Sequence, residues 1–185
     1  MNTLRSKTTR RTMLIMMAVG HLLAAGAHAN EASRVDSHRP NTKETSSSVR
    51  KPQIGRGMAP GDAFALRFAF KGAIKRLEKD ESCRALFDDL ILDGLQAMGS
   101  SRYRPAQSPG ERAHCARGVA AYTAVGLSQI VVCEHFNTLH RRTKIAVLIH
   151  EALHNAGMSE APVDPDGMTA EEISKMVEEA CDLSL

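Results

Sequence analysis

Residues 146 to 160 read AVLIHEALHNAGMSE, with two histidines four apart, a glutamate beside the first, a glycine three past the second and a further glutamate three past that. On an α-helix, side chains at i and i+4 stand one above the other, so His150 and His154 can turn their imidazoles to a common point. The run IAVLI ahead of His150 is wholly apolar, as expected of a helix sunk in the body with one face open to a cleft. By chance, about one chain in 50 of this composition would carry H-E-x-x-H, so the two histidines carry little weight alone. The added spacing of Gly157 and Glu160 makes coincidence rarer by roughly two orders of magnitude.

The physical reading of the stretch is a zinc site. Zinc accepts neutral imidazole nitrogens and carboxylate oxygens in tetrahedral geometry, and a hydrolytic site keeps one position for water. Gly157 can take the left-handed conformation that stops a helix and reverses the chain, which lets Met158-Ser159-Glu160 curl back with a third ligand. His150, His154 and Glu160 are therefore the candidate metal ligands. Glu151, next to the first histidine, falls beside the water, where it can take a proton as general base.

Outward from this stretch, helix and strand signals place the motif in a small α+β domain. Asp62 is expected to cap a helix reaching about Lys79, with Leu66, Phe70, Ala73 and Leu77 on one face. A second helix is expected from Ser82, with Leu86, Leu90, Leu95 and Met98 inward. Residues 99–117, rich in Ser, Arg, Pro and Gly, read as a loop. VAAYTA and SQIVVC flank Val125-Gly126-Leu127-Ser128 and predict a β-hairpin. The motif helix should run from about Thr143 to Ala156, APVDPDG should be a loop, and Thr169 should cap a last helix to Cys181, with Glu172 completing a capping box.

The N-terminus reads as an export signal: Arg5, Lys7, Arg10 and Arg11, then MLIMMAVGHLLAAGA, then Ala27-His28-Ala29 with cleavage expected after Ala29. The apolar run is short for a membrane span of roughly 20 residues. TRRTML loosely suggests a twin-arginine signal but lacks the lysine that usually follows, so general secretion to an extracytoplasmic location is expected. Removing residues 1–29 leaves 20 Lys and Arg against 21 Asp and Glu, a net charge of −1. The pI near 8.8 thus belongs largely to the leader, which removes the main support for a nucleic-acid partner. No membrane partner is expected once the leader is gone. Residues 30–60 bury too little to offset ordering entropy and are expected to be an unstructured linker or pro-segment. A latency ligand from it would be His38.

All four cysteines, Cys83, Cys115, Cys133 and Cys181, follow the leader, which favours two disulfides in an oxidising compartment. Four cysteines allow three connectivities, of which Cys133 with Cys181 and Cys83 with Cys115 is favoured because the first bond would tie the last helix to the body. Tyr122 or Tyr103 could donate to an oxyanion, and His135, His140, Arg141 and Arg142 could touch substrate, although packing or plain surface roles are the simpler reading. Ser128 reads as a turn residue, and there is no G-x-S-x-G or phosphate loop.

The run His150-Glu151-Ala152-Leu153-His154-Asn155-Ala156-Gly157-Met158-Ser159-Glu160 resembles the zincin metalloproteases, in particular the metzincin consensus H-E-x-x-H-x-x-G-x-x-H with Glu in the third ligand's place. SQIVVC, a Phe and the apolar helix also resemble the edge strand and active-site helix of small zincins, aspzincins included. The likeness covers about residues 120–181. It implies a zincin-like domain over residues 61–185, with a hairpin or small sheet and about four helices, binding Zn2+ and hydrolysing protein or peptide substrates. A gluzincin-like arrangement would instead take Glu172 or Glu171 as third ligand, and Asp166-Gly167-Met168 is the candidate methionine turn. The strand Gln129–Cys133 would then orient an extended substrate. The alternatives are an amidase acting on cell-wall peptides and a binding or toxin-like module whose zinc only stabilises it.

Overall fold

A computed structural model describes residues 51–184. The leader, His38 and the first part of the 30–60 segment lie outside the described residues. Within them the chain is mixed α/β, with seven helices and one four-stranded sheet.

Helix α1 spans Pro60–Lys79 and buries Leu66, Ala69, Phe70, Ala73 and Leu77 along one face. Its cap is Ala59, with Pro60 pre-set for the first turn; Asp62 lies inside that turn, near the positive end of the helix dipole, and is not the cap. The expected second helix is broken. Glu81–Ala85 forms α2 and Gly94–Ser100 forms α3, because the Asp93 side chain accepts a hydrogen bond from Gln96 N–H at 2.8 Å and starts a new helix. Leu86, Leu90 and Leu95 still pack on the core and Met98 is fully buried, so the apolar set is the expected one on a different backbone.

The stretch 99–117 is not a loop. Arg102–Pro105 is strand β2, and Pro109–Cys115 is helix α4, opened by a Ser108/Glu111 capping box. Upstream, Gln53–Ile54 forms β1 within the segment expected to be unstructured. The predicted hairpin is present as β3, Ala121–Tyr122, antiparallel to β4, Gln129–Val132. Strand order is β1-β2-β4-β3, with β1 parallel to β2 and β2 parallel to β4. β4 therefore lies between two neighbours and cannot accept another strand, which corrects its assignment as the substrate-orienting strand. The free edge beyond it belongs to β3.

After a short α5, His135–Thr138, the motif helix α6 runs Arg141–Asn155. Every residue from Leu148 to Ala156 is buried, since α1, α3, α7 (Ala170–Ala180) and β3 surround it. Gly72 makes the close approach of α1 possible, because a Cβ there would collide with Ile145 of α6. Thr169 and Glu172 cap α7 as the sequence predicts.

The disulfides differ from expectation. Cys83 pairs with Cys181 and Cys115 with Cys133, at Cα separations of 4.5 and 5.4 Å. α4 carries Cys115 to the exit of β4, while α2 and α7 pack together and join the other two. Both bonds fit an oxidising compartment. Cys83–Cys181 spans 98 residues and Cys115–Cys133 spans 18. Loop-closure entropy then makes the first worth about 4.7 kcal/mol and the second about 3 kcal/mol. The Cys83→Ala/Cys181→Ala protein should lose more stability in urea than the Cys115→Ala/Cys133→Ala protein, and the reverse order would refute this.

Candidate metal centre

His150 and His154 project from the buried half of α6, one turn apart, and their Nε2 atoms stand 3.0 Å from each other. Gly157 has φ +110°, and the N–H groups of Gly157 and Met158 close on the carbonyls of His154 and Leu153 at 3.0 Å each. The chain reverses there and returns Glu160, whose Oε2 lies 3.4 Å from His154 Nε2 and 3.8 Å from His150 Nε2. Ligands held at roughly 2.0–2.1 Å in a tetrahedron stand about 3.4 Å apart. The three separations bracket that value, and His150, His154 and Glu160 form a group able to hold a metal ion.

Hydrogen bonding prepares the rings for that role. His154 Nδ1 lies 2.7 Å from the Met158 carbonyl, which can only accept, so Nδ1 carries the proton and Nε2 is left as a lone pair. His150 Nδ1 lies 3.0 Å from Ser174 Oγ of α7. Burial, then the neighbouring His154, pulls His150 down to about 4, so its ring is neutral near pH 7. Glu160 Oε2 is buried with no hydrogen-bond partner. Ring lone pairs and an unpartnered carboxylate oxygen facing one point repel each other unless a cation or proton joins them, and this donor set can hold a divalent metal ion. Because outer-shell partners fix ligand orientation, Ser174→Ala should weaken zinc affinity by roughly 10–100-fold in competition with a chelating dye. Unchanged affinity would show that Ser174 does not orient His150.

Glu172 and Glu171 are not in the group. The Glu172 carboxylate accepts from Thr169 N–H at 2.8 Å and from the Thr169 hydroxyl at 2.9 Å, which commits it to the start of α7. Glu171 is exposed. Met168 is 37% exposed and serves through its carbonyl, which accepts from Ala161 N–H at 2.9 Å and so steadies the residue after Glu160.

Glu151 is nearly inaccessible and its Oε2 has no partner. Burial, followed by the Glu160 carboxylate, pushes it up to about 8 against the pull of the Thr123 backbone N–H. In metal-free protein the folded state therefore holds a proton that the unfolded chain releases above about 4.5. That contribution is complete below the unfolded value and is lost as pH rises through 8. The depressed His150 acts oppositely, its contribution being lost as pH falls from 6.5 through 4. Between pH 6.5 and 8 the balance falls to Glu151, so urea stability in a chelator should decline over that range and the decline should vanish in Glu151→Gln. Stability that holds level or rises in the unsubstituted protein would contradict this.

The group opens into a cavity of about 340 Å3 whose wall includes Glu151, Val147 and Ser174 together with Tyr122, Thr123 and His114. Tyr122 is on the edge strand, and His114 stacks edge-on against it with ring centroids 4.4 Å apart. α4, which carries His114, buries no residue of its own. It is held instead by the Cys115–Cys133 bond, by the capping box and by the paired Arg104 and Glu111 side chains. His114 carries no motif that would have singled it out. Asn155 also escaped notice: its buried amide donates to the Ala97 carbonyl at 2.8 Å and to Ser101 Oγ at 2.9 Å, fastening the end of α6 to α3.

The other candidates fall elsewhere. Tyr103 is fully buried against Met98 and Phe70. His135 is exposed on α5, and His140 accepts from Arg142 N–H at the start of α6. Arg141 lies over the Phe68 ring, Arg142 donates to the Ser184 carbonyl, and Ser128 offers its carbonyl to Arg102 N–H. Comparison of the chain with protein-family models, curated proteins and solved structures finds no match.

Proposed function

We propose that this chain is an exported zinc-dependent peptidase of the zincin kind. The observation that carries the reading is the convergence of His150, His154 and Glu160 at one point in a cavity that also holds the buried Glu151 and the open edge of β3. Zinc bound there would polarise a scissile carbonyl and make a neighbouring water more acidic. The charge of a bound cation would favour the ionised form of the buried Glu151, which then takes the proton of the attacking water and hands it to the leaving amine. Tyr122 and His114, lining the same cavity, would supply polar hydrogens to the charge that develops on the carbonyl oxygen. β3, unpaired on its outer side, aligns an extended peptide as an added strand.

A group of three protein donors favours catalysis over a purely stabilising ion, since closed structural zinc sites use four. The same chemistry serves cell-wall peptides, so the two substrate classes are separated by assay. Zinc-loaded protein is offered casein and, in parallel, peptidoglycan fragments. Cleavage of casein supports the peptidase reading and cleavage of peptidoglycan fragments alone moves the assignment to an amidase. Hydrolysis of neither would refute both.

A further inference from the structure

Two of the five phenylalanines are exposed, and they are one helical turn apart: Phe64 is 72% and Phe68 44% accessible on the outer face of α1, whereas Phe70, Phe87 and Phe136 are buried. The same stripe carries Arg67, Lys71 and Lys75, all exposed. Arg141, from the start of α6, lies with its guanidinium carbon 4.4 Å from the Phe68 ring centre. Behind the stripe, α1 and the first turn of α6 enclose a cleft of about 550 Å3, where Lys75, Arg76 and Lys79 face Arg141 and Arg142. Asp80 and Glu81 stand at the cleft's end, and Arg76 is paired with Asp182 at 3.4 Å.

Charge on this protein is segregated. Residues 51–184 hold 16 Lys and Arg against 18 Asp and Glu, a net of −2, yet seven of those 16 cations lie on this face. Against these seven stand four of the 18 acids, Glu78 on α1, Asp80 and Glu81 at the end of the cleft and Asp182 paired with Arg76, so the face keeps an excess of positive charge. Aromatic side chains in contact with water beside a concentration of cations match the interface of an anionic bilayer, where rings enter the headgroup boundary and Lys and Arg meet phosphates. A soluble polyanion would use the cations and leave the two rings without a role. We propose that the outer face of α1, with the adjoining cleft, docks the protein on a membrane surface rich in anionic phospholipid. Losing a leader removes an anchor, not such a face, and among the described residues no helix is long and apolar enough to span a membrane. The docking is independent of the metal centre, which lies on the other half of α6.

The test is sedimentation of the full chain with vesicles of phosphatidylglycerol and phosphatidylcholine in equal parts, and with phosphatidylcholine alone. Phe64→Ser/Phe68→Ser and Lys71→Glu/Lys75→Glu proteins are run beside it. Residues 1–50 are common to all three, so differences report the face. Binding should prefer the anionic vesicles and weaken with salt. The charge variant should lose about fivefold in apparent affinity per cation removed, and the phenylalanine variant about tenfold, with thermal melts unchanged because all four side chains are exposed. Equal binding to both vesicle types would overturn the proposal. So would a loss confined to one variant: charge alone marks a soluble polyanion or acidic protein, and the rings alone mark an uncharged partner.

Discussion

Glu151→Gln is expected to keep its zinc and lose its turnover. Glutamine preserves the size of the side chain but cannot accept the proton of an attacking water, and Glu151 is not among the three groups that converge on the ion position. Positioned general bases contribute about 10²–10⁴-fold, so kcat should fall at least that far while zinc stoichiometry holds. The metal-free fold should also tolerate the change, because the buried carboxyl has an unpartnered oxygen and the folded protein already favours its neutral form. A variant whose activity stays within tenfold would remove Glu151 from the chemistry, and loss of the metal would instead make it a ligand.

Glu160→Ala and Glu172→Ala should part company. Outer-shell partners are worth roughly 10–100-fold in metal affinity, and a direct ligand should exceed that, so Glu160→Ala is expected to weaken zinc binding by more than about 100-fold. Glu172→Ala should leave zinc affinity close to that of the unsubstituted protein and cost about 1 kcal/mol in unfolding, as for other lost helix caps. Isothermal titration with zinc and urea unfolding read the two effects separately. The opposite pattern would show that α7 supplies the third ligand and that the bend at Gly157 serves only to end α6.

What could be read from sequence follows from how far each signal reaches. His150, His154, Gly157 and Glu160 lie within eleven residues, and a helix followed by a left-handed glycine sets their geometry almost alone. The Thr169/Glu172 cap and the β3–β4 hairpin are local in the same sense. β2 escaped because only Tyr103 among its four residues is buried, so its membership of the sheet depends on parallel pairing with β4 across an intervening helix. The break between α2 and α3 was present at Asp93 but masked by a run of leucines that suits helix and turn alike. The Ser108-to-Glu111 spacing offered a capping signal for α4, outweighed by the Pro and Gly around it. With α4 missed, the disulfide partners could not follow, and neither could His114.

Determination of the crystal structure with zinc, using anomalous scattering at the zinc edge, is the most direct test of the metal centre. The expected result is a single strong peak at roughly 2.0–2.2 Å from Nε2 of His150, Nε2 of His154 and a carboxylate oxygen of Glu160. A peak held by other residues, or none at these three with zinc in excess, would contradict it.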